Sequence, residues 1–195
     1  MVLLSLALGI GANTALFTAV NGLMLQDVSL PNPDRLVRVK WAGENDMRRN
    51  TSDYGFSNEY RGLEVTSTFP HPVYLALRDA NQTMTELAAF SPSDTLNVVV
   101  NGTAEIATAL IVSGNYFSAL QVPMALGRPI VEADNVPNAP PVAVISQAHW
   151  RRRFGSDANV IGQTVRMNNT LVTIVGVTHA SFTGCLLYTS PSPRD

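Results

Sequence analysis

Cysteine is nearly absent from this 195-residue chain: the single one, Cys185, opens a terminal string unlike the rest. The residues before it can form no disulfide and no thiolate metal or nucleophilic site. Lysine occurs once, as Lys40, and no G-x-x-x-x-G-K-S/T run exists, which excludes a P-loop. His71, His149 and His179 are too far apart in sequence to pair as ligands on one helix, so no metal site is expected. No serine sits in a G-x-S-x-G elbow. Gly9 and Gly11 lack both a preceding strand and a third glycine, so no dinucleotide loop is expected. A net charge of −2 gives no basic surface for nucleic acid. These absences point away from an enzyme and from any bound cofactor.

Charge is also missing where it matters most. Residues 1–26 carry no Asp, Glu, Lys or Arg. As a helix rising about 1.5 Å per residue, that run is long enough to cross a hydrocarbon core of about 30 Å. Ala7, Gly11, Ala15 and Ala19 recur every fourth residue and line one face, where small side chains let a second membrane helix approach. Asn13 and Asn21 are polar at depth and favour a protein neighbour over lipid. A cleaved signal peptide would need a basic flank and a shorter apolar core. A buried helix of a soluble protein would carry a charged face. The expectation is a retained transmembrane helix over residues 1–26, in contact with the lipid bilayer.

The terminal string CLLYTSPSPRD, residues 185–195, shares no periodicity with what precedes it. It resembles the translation of a sequencing-library transposon adapter, and it is set aside as a scar. The expected organisation is therefore a membrane helix, one aqueous domain over residues 27–184 that is incomplete at its C-terminal end, and the scar over residues 185–195.

Within the aqueous domain, alternation predicts a strand over Arg35–Trp41, and polar turn residues predict a loop from Ala42 to Ser67. Pro72 suits a first helical turn, followed by an apolar face of Val73, Ala76, Leu77 and Ala80. A short helix is expected near Thr83–Phe90. Two alternating runs, Leu96–Val100 and Glu105–Val112, meet at Asn101-Gly102, a strong hairpin signal. Asn115 is expected to cap a short helix with Tyr116, Phe117 and Leu120 on one side. Gly127-Arg128-Pro129 reads as a turn into an acidic, proline-rich loop ending at Pro141. Val142–Ile145 reads as a buried strand, and Ser146 and Gly155 as the caps of a helix over Gln147–Phe154. A closing hairpin pairs Thr164–Met167 with Leu171–Val177 through Asn168-Asn169. The fold class expected is α+β, with a split β-α-β-like sheet and helices on one face.

Arg151, Arg152 and Arg153 form the one basic cluster. Cations in a last helical turn complement the helix dipole, while Trp150 and Phe154 bury the other face. That reading is preferred over an anion or lipid-headgroup contact. Asn50, Asn81, Asn101 and Asn168 begin glycosylation-like triplets, to which no function is assigned. No catalytic, cofactor-binding or metal residue is nominated.

Several blocks are recognisable together. Residues 6–17 (LALGIGANTALF) resemble the first membrane helix of bacterial ABC-transporter permeases of the MacB/FtsX type. Residues 32–37 (NPDRLV) resemble the start of their periplasmic core domain. GNYFSAL at 114–120 with LGR at 126–128, then VIS at 144–146 with WRRRFG at 150–155, match in the same order. Ile161-Gly162 and Val175-Gly-Val177 with Phe182 complete the series. Gln121 departs from the glycine usual there, and Asn169 from the usual Asn-Gly turn.

The resemblance implies an inner-membrane permease subunit of an export or efflux system, with its main domain in the periplasm. It implies further membrane helices and a separate cytoplasmic ATPase whose motion the domain passes to a substrate or partner. A periplasmic adaptor, an outer-membrane protein and a second copy of the chain are the other partners it brings in. The alternative is a membrane-anchored periplasmic binding or sensor module that works without ATP.

Overall fold

The computed structural model describes residues 30, 32–43, 57–60, 62–100 and 102–182. The expected membrane helix and the adapter-like string lie outside the described residues. Among those described, no helix is long and apolar enough to cross a membrane.

The first elements depart from the sequence pattern. Pro33–Arg35 is one 3-10 turn, and the expected strand over Arg35–Trp41 is reduced to β1, Trp41–Ala42. Among the described residues, no strand pairs with 36–40, and Leu36 and Val37 are exposed, so alternation alone did not find a sheet to join. The expected loop instead contains two strands, β2 (Ser57–Tyr60) and β3 (Leu63–Thr66). They form a small antiparallel sheet in the order β1-β3-β2. The Trp41 indole N–H donates to the Thr68 carbonyl at 3.1 Å, tying that sheet to the chain beyond it.

Helix α1 covers His71–Asp79 with Pro72 in its first turn, as expected. Its packed face is different. Tyr74 is the buried residue, while Leu77 is 41% exposed and Ala76 lies outside. The Tyr74 hydroxyl donates to the Leu87 carbonyl, so one amphipathic side chain outweighs the row of smaller apolar ones. The short helix expected at Thr83–Phe90 does not form. Asn81 Oδ1 accepts from the Thr83 and Met84 amides, and that side-chain turn competes with helix.

The main sheet starts earlier than read, with β4 spanning Phe90–Val100 and β5 Thr103–Val112. Pro92 and a register shift between Ser93 and Leu96 mask the first half of β4 in the sequence. Helix α2 is a single turn, Tyr116–Ala119, whose Tyr116 and Phe117 are buried. Asn115 precedes it without making a side-chain cap. Met124–Gly127 is a strand, β6, to which the sequence reading gave no element before the turn at Gly127-Arg128-Pro129. Strand β7 (Val142–Ile145) and helix α3 (Gln147–Phe154) stand as read. The Ser146 hydroxyl accepts the His149 amide, and Gly155 closes α3 at φ 57°. Strands β8 (Thr164–Met167) and β9 (Thr170–Thr178) form the closing hairpin, with Asn168 at φ 50°.

The strand order is β5-β4-β8-β9-β6, with β7 also paired to β9. β9 is the hub. It runs antiparallel to β8 and β6 and parallel to β7. Gly176 sits where β9 meets the chain leaving β6. A Cβ there would collide with the Arg128 carbonyl oxygen, so no larger residue lets the two strands close. The core gathers Val98, Val100, Ile145, Val160, Val165, Ile174 and Val177, with Trp150 and Phe154 of α3 packed on it. The class is α+β, with a mixed sheet and few helices.

Candidate functional site

Among the described residues, three polar assemblies and one hollow are considered as places where chemistry could reside. The first lies between α3 and β5. In the register Val98↔Glu105, the Glu105 side chain shares the inner side of the sheet with Val98. Its carboxylate receives Arg153 Nε at 3.1 Å and His149 Nε2 at 3.5 Å. Arg153 also donates to the Thr103 carbonyl, and Arg152 contacts His149 Nδ1 at 3.3 Å. Glu105 Oε1 is buried without a hydrogen bond of good geometry. Burial pushes the His149 imidazole below its ordinary pKa, with the two arginines acting the same way and Glu105 opposing.

The arginine cluster is thus split by the fold. Arg151 and Arg152 are exposed, whereas Arg153 is drawn into an ion pair that the sequence reading did not contain. The only signal for it was a carboxylate at the head of an otherwise apolar run. The turn of helix that separates His149 from Arg153 places both on the same face.

The second assembly straps the loop after β6. Arg128 makes a two-pronged contact with Asp134, at 2.6 and 2.8 Å, and Asp134 also accepts the Val131 amide. Hydrogen bonds from Arg128 hold the Asp134 carboxyl below the usual carboxylate range. The third joins the loop after α1 to the segment just before α2. Asn115 Oδ1 accepts from Ser113 at 2.9 Å, and Asn115 Nδ2 donates to the Leu87 carbonyl at 3.1 Å. Asn115 therefore ties segments together instead of capping. The hollow is shallow and open, bordered by Thr95, Asn97, Ala104, Glu105, Ile106 and Asn168.

Each assembly closes one segment upon another, and none arranges a nucleophile, a base and an orienting group. The three histidines are not brought together by these contacts. His149 faces Glu105, and His179 Nδ1 lies 2.9 Å from Ser181 Oγ in a local turn. Among the described residues, no group of His, Cys, Asp and Glu is placed to hold a metal. Asn81 and Asn168, of the glycosylation-like triplets, are turn formers. Asn168 Oδ1 accepts the Asn97 amide across the β4–β8 pair.

The match in sequence decides the family. A profile of the MacB-like periplasmic core domain matches residues 1–190. The chain belongs to the MacB-like periplasmic core domain family. This is the periplasmic domain found in ABC-type transporter permeases. The matched range reaches into the string read as an adapter scar.

No protein of curated function is significantly similar. Among solved structures, the extracellular domain of the noncanonic ABC-type transporter YknZ from Gram-positive bacteria is similar at a TM-score of 0.51. That likeness has 13% identity and covers 72% of this chain and 66% of that one, so it speaks for the fold alone. The periplasmic region of MacB from Actinobacillus actinomycetemcomitans is 23% identical, at a TM-score of 0.42. It covers 49% of this chain and 44% of that one. The chain thus spans 44% of the length of that MacB region and 66% of that of the YknZ domain.

Proposed function

We propose that this chain is the extracytoplasmic part, with its first membrane helix, of a permease subunit in an ABC-type exporter. In this reading residues 1–26 form a retained transmembrane helix, residues 27–184 the partial periplasmic domain, and residues 185–195 a sequencing scar. A separate cytoplasmic ATPase drives the membrane helices, and the periplasmic domain, itself non-catalytic, passes their motion to a substrate or partner. The observation that carries this reading is the family match running from residue 1 through the aqueous domain.

The polar framework is consistent with such a role. Asn115 with Leu87 and Glu105–Arg153 each cross-link separate segments, and Arg128–Asp134 straps the loop after β6. A domain that transmits displacement must deform less than it moves, and side-chain ties between elements favour that.

The test is affinity purification of the full-length product from its native host after mild detergent extraction. Co-purification of an ABC ATPase, with ATP hydrolysis altered by the permease, is the expected result. Recovery of the protein with a kinase or other signalling protein, and no ATPase, would replace the exporter reading with the binding or sensor module.

A further inference from the structure

Strand β5 lies at the margin of the main sheet. Among the described residues it pairs with β4 alone, and the strand order ends with it. Alternate residues of an antiparallel strand turn their N–H and C=O groups away from the neighbour, so the outer side of β5 carries a row of backbone donors and acceptors. Natural sheets blunt such a margin with lysine, proline, shortness or a bulge. β5 is ten residues long, TAEIATALIV, with no lysine, arginine or proline, and the register shift of its hairpin falls on β4 between Ser93 and Leu96. Its single charge, Glu105, is held by Arg153 of α3. Ile106 and Ile111 stand 76% and 67% exposed.

We propose that β5 is an interface between two copies of this chain, joined antiparallel and edge to edge about a two-fold axis at Thr108. A second copy fits because the strand is compatible with itself. An axis at Thr108 pairs residues 104–112 of each copy, and no other centre on β5 pairs more of the strand. It sets Ile106 against the partner's Leu110, where an axis at Ala107 would spend Ile106 on a threonine. Glu105 then faces the partner's Ile111 and never its own like charge. A strand rich in charge would find no opposite charge along this margin to pair with. The symmetric join is closed and leaves neither copy with an open β5 edge. It uses the backbone margin, so the exposed side chains of Ile106 and Thr108 stay on the face of the sheet. The pairing rests on this strand and not on the transport reading.

The test uses the full chain in detergent micelles, with Cys185→Ser so that one introduced thiol reports. Thr108→Cys places a thiol beside its own copy across the axis. Ala104→Cys, equally exposed on the same strand, sets the two thiols about 26 Å apart at about 3.3 Å per residue. A short bifunctional maleimide should link two copies of Thr108→Cys at least about tenfold faster, because the facing thiols meet at an effective concentration in the millimolar range. Amide hydrogen exchange on the chain without introduced cysteine gives the second readout. The β5 amides that face away from β4 should be protected in the dimer and exchange freely once dilution into excess micelles yields monomer, as sized by light scattering. Equal linkage at the two positions, or none at Thr108→Cys, overturns the pairing. So does a dimer whose outward β5 amides exchange freely. Protection that persists in the monomer also overturns it, and would mean that another segment of the same chain covers β5.

Discussion

Gln121 takes φ 52°, a left-handed conformation that side chains with a Cβ enter at a cost of about 1–2 kcal/mol. Family resemblance places glycine at this position, and the backbone explains why: the chain must turn sharply between α2 and β6. Gln121→Gly should therefore stabilise the domain by up to about 1 kcal/mol, the relieved strain less the added freedom of the unfolded chain. A rise in thermal midpoint checks it. Asp134 shows a second residue-scale effect. Its pKa is lowered chiefly by hydrogen bonding from Arg128, so its contribution is present above the ordinary carboxylate value of 3.8. It is lost as the pH falls through the lower folded value. Asp134→Asn should be the less stable protein near neutrality and should lose less stability on acidification, which denaturant melts across the acid range would measure.

At the scale of elements, the α3 unit was legible because its signals are local. Ser146 accepts the His149 amide, Gly155 adopts a left-handed cap, and the β8–β9 hairpin turns at Asn168. What could not be read depended on distant partners. β6 is a strand because β9 lies beside it, and Arg35–Trp41 fails to become one because, among the described residues, no strand pairs with 36–40. The Glu105–Arg153 pair joins residues brought together only by the fold, so no spacing rule could have found it. Trp150 carries the prediction for α3. It packs on the core while its indole N–H donates to the Asp157 carbonyl at 2.8 Å. Since the ring is half-buried, Trp150→Ala should cost about 3 kcal/mol, the low end for an aromatic truncation. Arg152→Glu, on the exposed side, should cost at most about 1 kcal/mol. Urea melts of the two variants would separate them, and equal losses would mean that α3 is held by charge rather than by packing.

The described residues form a mixed sheet organised around β9 and a smaller antiparallel one, and among them no group of His, Cys, Asp and Glu is placed to hold a metal. The fold class was legible in the alternation of strands and helices, while the hub role of β9 was not, because parallel pairing with β7 leaves no local mark. The family gives that sheet its setting on the outer side of a membrane. Side-specific cysteine labelling tests this most directly, because Cys185 is the single cysteine of this sequence and can be removed as Cys185→Ser. Ile106, 76% exposed on β5, offers a position for Ile106→Cys with little effect on the core. In intact spheroplasts, a membrane-impermeant maleimide should label this variant as fully as it does after the membrane is opened. Labelling that appears only after the membrane is opened would place the domain on the cytoplasmic side and contradict the account.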